Sequence, residues 1–543
     1  MLVPAAFLLV FFVLPVGTIL LTGLRPEGRL DLAAVPAVLS DPVTLRVAWF
    51  TLWQAAASTV LTLLVGLPGA YVLARLSFRG RSALRAAITV PFVLPTVVVG
   101  SAFLALLGPR SPLNALLGGV LGEAAPTLDL RRTVTAILLA HVFFNYAVVV
   151  RTVGGLWSHL DPRLEEAART LGASRWATFR EVSWPLVRPA VAAAAAIVFL
   201  FTFTSFGVVL ILGGPGRATL EVEIYRATVQ LLDLPLASVL ALLQLAAVTA
   251  ALLVYGRLQK RATAQPLRSA ATTARPPRTR GERAFLAVNL LVVAGLLLAP
   301  LLVLVERSLA TGDGYGLDHY AALFGTQRST VLAVAPFEAI RNSVLYGLAA
   351  TSVALVVGGC AAVAASRPGR SGRLLDRALM LPLGTSAATV GFGFLLALAR
   401  PPLDLRGSRL LIPAAQALIA TPFVVRTLLP VLRSIDQRLR DAAATLGAAP
   451  RRVWREIDLP IVGRAVLAAA GFSFAIAVGE FGATVFLARG QTPTMPVAIF
   501  RLLGRPGVTN FGQAMAMSTI LMLVTASAIA LLDRLRVGQV GRF

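Results

Sequence analysis

The sequence predicts an all-α, polytopic membrane protein with about twelve transmembrane helices in two homologous six-helix halves. Two observations carry this prediction. The 543 residues are 57% hydrophobic and only 14% charged, whereas soluble domains average about 25% charged residues. In addition, a polar stretch at residues 161–185 recurs at residues 436–460 without a gap and with about half of its positions identical. Self-similarity over half a chain indicates a duplicated unit.

The individual spans follow from segment length, because a helix needs about 20 mostly apolar residues to cross a bilayer. The first half covers residues 1–258 and the second half covers residues 284–543. Between them, residues 259–283 are rich in Pro, Thr and Arg and have no apolar period, which predicts a flexible cytoplasmic linker. The twelve predicted spans are residues 2–21, 48–75, 84–108, 132–155, 190–212, 234–256, 284–306, 342–365, 374–399, 409–433, 464–488 and 513–533.

Arginine placement predicts the orientation of the chain. Basic residues cluster in the loops after the second, fourth and sixth spans of each half, and such loops stay on the cytoplasmic side. Both termini are therefore expected in the cytoplasm, with the linker's basic residues near anionic lipid headgroups. The opposite loops carry acids such as Glu221, Glu223 and Asp233. The net charge of +25 does not indicate nucleic-acid binding, because the arginines do not form a basic patch with interleaved aromatic residues.

The first polar stretch predicts a short amphipathic helix. Asp161 suits the N-cap, Pro162 the first helical position and Gly172 the position after the last turn. An apolar face of small residues follows at helical spacing. A helix lying on the bilayer surface would need only this amphipathicity. The same acid, glycine and proline offsets in both halves favour the other interpretation, a docking surface for a partner protein.

At these residues the chain resembles a known family. EAARTLG with EVSWP, and DAAATLG with EIDLP, are similar to the EAA loop of permease subunits in ATP-binding-cassette importers. The resemblance implies a bacterial cytoplasmic membrane protein whose loops dock on two copies of a cytoplasmic ATPase, while an extracytoplasmic binding protein delivers the substrate. It assigns the ATPase contact to Glu166, Ala167, Ala168, Gly172 and Pro185, and to Asp441, Ala442, Ala443, Gly447 and Pro460.

Most such permeases are two separate chains, and the fused ones that this chain resembles include those for thiamine and for ferric iron. Residues 204–225 and 241–244 look like the thiamine permease pattern. The sequence Gly479-Glu480-Phe481-Gly482 is similar in both groups and in sulfate and molybdate permeases. Thiamine therefore ranks first as the expected substrate and ferric iron second.

Energy is expected to come from a partner rather than from this chain. The phosphate-binding pattern GxxxxGK[ST] is absent from the sequence, and that pattern is what cradles nucleotide phosphates in ATPases. No catalytic constellation is visible, so the chain is predicted to be a transport subunit without a cofactor. His159 and His319 are too isolated in the sequence for a metal site.

The membrane interior offers four tentative path residues, Ser205, Glu480, Pro95 and Pro382. Glu480 is the only acid in the eleventh predicted span, and Ser205 is its counterpart in the first half. An acid at this depth faces protein or water rather than lipid. Two interpretations stay open: Glu480 lines the path, or it forms a buried hydrogen bond to nearby backbone. The prolines similarly either open a cavity or only kink their helices.

A transporter driven by an ion gradient is the alternative of another class, since it would also have two six-helix halves. Such a transporter couples through ionisable residues inside the membrane in both halves. The sequence shows only Glu480 at that depth, and this alternative gives no reason for a repeated surface helix.

Overall fold

A computed structural model describes residues 1–25, 34–122, 127–214, 216–260, 274–312, 314–325, 331–366, 369–398 and 404–536. These residues are almost entirely helical, and the only sheet among them is a hairpin of two short strands, Ala310–Thr311 and Gly314–Tyr315. This hairpin and the helix Asp318–Phe324 form part of the connection between the first two spans of the second half.

Ten helices in the described ranges are long and apolar enough to cross a bilayer. They coincide with ten of the twelve predicted spans and extend several of them toward the loops. Their bounds are Leu2–Leu24, Pro42–Arg75, Val134–His159, Arg175–Phe203, Leu234–Val254, Arg280–Leu309, Pro336–Ser366, Leu411–Ser434, Pro450–Gly479 and Val508–Leu531.

The third and ninth predicted spans are broken. In the first half, Arg81–Val93 and Thr96–Leu106 meet at an angle of 104°, and counting this pair as one span raises the number to eleven. In the second half, Arg370–Met380 and Ala387–Ala397 flank a turn at Pro382–Gly384, and both pieces are too short to span alone. Proline lacks a backbone N–H and clashes with the preceding turn, so Pro91, Pro95 and Pro382 account for these breaks.

The fifth and eleventh spans end earlier than their apolar sequences suggest. The fifth helix ends at Phe203 and a short helix, Gly207–Leu212, follows. The eleventh ends at Gly479, and Thr484–Leu487 follows. Glu480 therefore lies in a helix break, not inside a helix as the sequence indicates. The two breaks occupy equivalent positions, 275 residues apart.

Each half packs its first helix against the broken helix of the other half. Leu14–Leu24 contacts Ala387–Ala397, and Ala299–Leu309 contacts Thr96–Leu106. A Cβ at Gly393 would lie 2.9 Å from the Cβ of Pro15, so the first of these contacts brings the helix surfaces together without an intervening side chain. The two halves thereby form one interlocked bundle.

Helices overlap both ends of the predicted linker, residues 259–283. Helix continues to Lys260 and begins again at Arg280, while residues 261–273 lie outside the described ranges. Residue Arg275 pairs with the end of the second span, because its backbone N–H donates to the carbonyl of Arg75 at 3.1 Å. Its guanidinium lies 2.7 Å from Glu282, and this hydrogen-bonded carboxylate raises the pKa of Arg275.

Close helix packing in the second half depends on Gly358. A Cβ at this position would lie 2.8 Å from Cγ1 and 2.9 Å from Cβ of Val424, whereas a Cβ at the neighbouring Gly359 would meet nothing within 4 Å. Overpacking of a close contact typically costs about 1–3 kcal/mol.

We expect Gly358→Val to lower the thermal unfolding midpoint of the detergent-solubilised protein, because it separates Pro336–Ser366 from Leu411–Ser434. The matched control, Gly359→Val, should unfold at the wild-type temperature. Equal effects of the two substitutions would contradict this packing argument.

Candidate functional site: a central cavity and two loop helices

A cavity of about 350 Å³ lies between the two halves, where the broken third span and the breaks of the fifth and eleventh spans meet. Both halves contribute to its wall. Its polar side chains are those of Thr96, His141, Asn145, Thr204, Ser205, Glu221 and Glu480, and its phenylalanine rings are those of Phe92, Phe144, Phe201, Phe206 and Phe481. Aromatic rings with a few buried polar groups are the usual composition of a small-molecule site.

Glu480 forms the buried backbone hydrogen bonds that one of the two open interpretations requires, and it also borders the cavity. Its side chain lines the cavity, and its two carboxylate oxygens accept backbone hydrogen bonds from Ala483 at 2.8 Å and Thr484 at 3.0 Å. The Thr484 hydroxyl also donates to this carboxylate. The carboxylate thus caps the short helix Thr484–Leu487, where the first backbone N–H groups have no helical acceptor.

Glu221 is a cavity residue that the sequence places in an outer loop. It belongs to the short helix Leu220–Tyr225 and is 1% exposed. Its Oε1 accepts a hydrogen bond of 3.0 Å from the amide of Gln244, and the Ser386 hydroxyl of the second half interacts with the same carboxyl group. Glu221 does lie in the connection between the fifth and sixth spans, but that connection turns back into the bundle and buries the side chain.

His141 is held by two serines. Its Nδ1 lies 2.8 Å from the hydroxyl of Ser58, and its Nε2 lies 2.8 Å from the hydroxyl of Ser205. Both ring nitrogens therefore have hydrogen-bond partners inside the protein. The ring also borders the cavity, so Ser205 and His141 form one hydrogen-bonded wall.

Neither candidate proline lines the cavity, but Pro95 contacts a residue that does, Gly479. Pro95 precedes the helix Thr96–Leu106, and its Cγ would be 2.8 Å from a Cβ at Gly479. This contact crosses from one half to the other beside the cavity. Pro382 is buried in the turn of the broken ninth span and does not border the cavity.

Five rings form an aromatic cluster at one end of the cavity: Phe206, Tyr225, Phe481, Phe486 and Phe500. Phe206 stacks on Phe481 with ring centroids 5.6 Å apart, and Tyr225 meets Phe500 edge-on at 6.4 Å. Each of these two pairs joins positions 275 residues apart, so each residue contacts its own counterpart. Such self-contacts occur where a twofold relation passes through an interface, and the cluster therefore lies on the axis that relates the halves.

The two polar stretches fold into matching exposed helices, Pro162–Thr170 and Gln437–Thr445, which we call the loop helices. Asp161 and Asp436 cap them, with carboxylate-to-backbone hydrogen bonds of 3.1 and 2.9 Å. Gly172 and Gly447 end them with φ of +88° and +80°, a left-handed conformation that glycine adopts without strain. The local structure agrees with the sequence prediction in both halves.

The loop helices carry the residues that the family resemblance singles out. Glu166, Ala167, Asp441 and Ala442 are exposed, and Ala168 and Ala443 are half-buried. Two further pairs, which sequence reasoning treated only as an apolar face, are also exposed at equivalent positions: Leu164 and Leu439 at 49% each, and Leu171 and Leu446 at 88% and 87%.

Each loop helix is anchored to the start of the following span by a different polar pair. In the first half, the Ser183 hydroxyl donates to Glu165 at 2.9 Å, and Arg75 approaches the same carboxylate at 3.0 Å. In the second half, Arg440 lies 2.9 Å from Asp458. Arg440 and Asp458 are the counterparts of Glu165 and Ser183, so the contact persists although its chemistry has changed. Pro185 and Pro460 lie in the first turn of the helices that these anchors reach.

Comparison with known proteins finds relatives for both halves. Residues 66–264 and 354–537 match the family described as "Binding-protein-dependent transport system inner membrane component". The thiamine transport system permease protein ThiP of Brucella abortus is 29% identical over 501 residues, covering 91% of this chain and 88% of the relative. The protein of the same name from Escherichia coli is 27% identical over 475 residues, covering 86% and 85%.

Among solved structures, a bacterial ABC transporter involved in the import of the acidic polysaccharide alginate aligns with 48% of this chain and 93% of that chain, at 15% identity and a TM-score of 0.42.

We expect Glu480→Ala to destabilise the protein, because the backbone N–H groups of Ala483 and Thr484 would lose their acceptors in a buried site. Each unmet buried donor costs about 1–3 kcal/mol. The thermal unfolding midpoint measures this loss. Glu338→Ala is the control, since it removes only an exposed pair with Arg341, and such pairs contribute about 0–1 kcal/mol. Wild-type stability of Glu480→Ala would refute the capping role.

Proposed function

This chain belongs to the family of inner-membrane components of binding-protein-dependent transport systems, and on that premise we propose that it forms the translocation path of a thiamine importer. The family is a class of transport subunits, not of enzymes. The thiamine assignment is supported by the two thiamine permeases that are similar to it over both halves.

The central cavity is the observation that supports the proposed translocation path. It lies between two halves related by a twofold axis, and the aromatic cluster meets it at one end. In transporters built from repeats, substrate sites lie at the repeat interface beside interrupted helices, and the repeats move against each other around the site. We place the substrate in this cavity during its passage.

The loop helices are the surfaces that we assign to two copies of a cytoplasmic ATPase. Their exposed leucines, Leu171 and Leu446, stand at the same position of each half, which suits two copies of one partner. Large exposed apolar residues in a contiguous patch usually mark an interaction site. The opposite face of the bundle would receive an extracytoplasmic binding protein, and both termini would lie in the cytoplasm, as the arginine distribution predicts.

An ion-driven transporter would need ionisable residues inside the membrane in both halves. Glu221 and Glu480 meet this need, because each half places one buried acid in the cavity. Family membership and the paired loop helices favour ATP as the energy source. Ferric iron is less well supported, because the described residues contain no group of three or more His, Cys, Asp and Glu that could hold a metal ion.

The proposed function predicts ATP-dependent uptake of labelled thiamine. The complete complex, with ATPase copies inside proteoliposomes and the binding protein outside, should accumulate thiamine when ATP is enclosed and should not do so with a non-hydrolysable ATP analogue. Uptake should persist when ionophores collapse ion gradients. Uptake that follows the gradient and ignores ATP would favour the ion-coupled alternative, and uptake of ferric ion instead of thiamine would overturn the substrate assignment.

The ATPase contact predicts a specific effect of charge on the loop helices. Leu171→Asp combined with Leu446→Asp should abolish co-purification of the ATPase with the permease, because a carboxylate at each site would have to be buried in the contact. The permease itself should remain folded, since both leucines are almost fully exposed. Leu410→Asp is the matched control, because Leu410 is 71% exposed. It lies just before the helix Leu411–Ser434, at the end that is far from the loop helix Gln437–Thr445. Retained co-purification in the double variant would remove the loop helices from the ATPase contact.

A further inference from the structure

We propose that Glu221 holds the positive charge of an aromatic cationic substrate in the central cavity, with the surrounding phenylalanine rings binding the substrate's ring system. This inference rests on the proposed function, because it treats the cavity as the site of passage. It assigns substrate contact to a residue in the first half, where the sequence had indicated Glu480 of the second half.

The position of Glu221 suits this role. Its side chain borders the cavity and is 1% exposed. Its recorded partners are neutral, the Gln244 amide and the Ser386 hydroxyl. Within the described ranges it has no ion pair with arginine, lysine or histidine, in contrast to Glu165 and Asp458, which are paired with arginines. A carboxylate buried without a cation is costly, and a cationic ligand in the cavity would offset that cost.

Glu480 is less suited to the same role. Both of its oxygens already accept hydrogen bonds from the backbone of Ala483 and Thr484, and one also accepts from the Thr484 hydroxyl. A carboxylate that caps a helix has its charge partly compensated by the oriented N–H groups. Glu221 makes no comparable backbone contact within the described residues, so its carboxyl group can interact with a ligand, and a cationic ligand would favour its ionised form.

The rest of the cavity wall selects the chemical class of the cation. Rings attract cations at their faces, most strongly where water is excluded. A hard metal ion instead prefers a shell of several oxygen ligands. Five phenylalanines and two separate carboxyl groups therefore fit an organic cation with its own aromatic ring, such as a quaternary nitrogen heterocycle. The five rings are those of Phe92, Phe144, Phe201, Phe206 and Phe481.

A purely structural role for Glu221 would give the opposite mutational order to a cation-binding role. Glu221→Gln keeps the length of the side chain and an oxygen that accepts from Gln244, but it removes the charge. Glu221→Asp keeps the charge but shortens the reach toward Gln244 and Ser386. Cation binding therefore tolerates aspartate better than glutamine, whereas a structural link between the halves tolerates glutamine better than aspartate.

The test measures equilibrium binding of thiamine and of benzyltrimethylammonium, a permanently charged ring compound, to the detergent-solubilised permease–ATPase complex by calorimetry. We expect the wild type to bind both, Glu221→Gln to bind both about ten-fold more weakly, which corresponds to about 1.4 kcal/mol, and Glu221→Asp to lie between them. Glu223→Gln is the matched control, because Glu223 is two residues away, lies beside Arg226 and borders a different cavity. It should bind as the wild type does.

Several outcomes would overturn the inference: no binding of either cation to the wild type, unchanged binding by Glu221→Gln, or a loss in Glu221→Asp that equals or exceeds the loss in Glu221→Gln. The thermal midpoints of the variants show whether a loss of binding comes from unfolding. The proposed function fails separately, if the wild-type complex imports no thiamine in vesicles. Benzyltrimethylammonium binding with the order wild type, aspartate, glutamine would then still support the cation site.

Discussion

The central site depends on one constraint, which is that a helix end inside an apolar bundle must find hydrogen-bond partners within the protein. Side chains supply them at four of the helix starts beside the cavity and its neighbouring elements. Glu480 accepts from the backbone that starts Thr484–Leu487, and Ser386 accepts from Thr389 at 3.1 Å. Thr51 accepts from the N–H of Leu220 at 3.0 Å in the first half, and Ser343 accepts from Met495 at 2.7 Å in the second. These contacts permit the breaks, and the breaks leave room for a cavity.

The sequence was sufficient wherever the signal was local. Apolar length predicted the continuous helices, and Asp161, Gly172 and their counterparts predicted the ends of the loop helices, because capping chemistry acts within a few residues. The sequence was insufficient where contacts between residues far apart in the chain determine the structure. Apolar residues continue through the breaks after Phe203 and Gly479, so the hydropathy of the sequence predicted one continuous helix at each break. Glu221 looked like a loop acid because nothing near it in the sequence records that its helix folds back against Gln244 and Ser386.

The two halves preserve geometry more faithfully than chemistry. Glu165 with Ser183 becomes Arg440 with Asp458, yet both pairs join a loop helix to the next span at 2.9 Å. Ser205 and Glu480 occupy the same break but bind different partners, a histidine in one half and helix N–H groups in the other. The two halves share a backbone arrangement but differ in their side chains. Such a pair of halves can surround one asymmetric molecule, because each wall of the cavity offers different groups.

The stacking of Phe206 on Phe481 has a mechanical consequence. Each ring rests on its own counterpart, so neither half can withdraw its ring while the other keeps its contact. Tyr225 and Phe500 obey the same condition one layer away. A displacement of either half therefore loosens both pairs at once, because each pair takes one ring from each half. The aromatic cluster thus couples the two repeats mechanically at this end of the cavity.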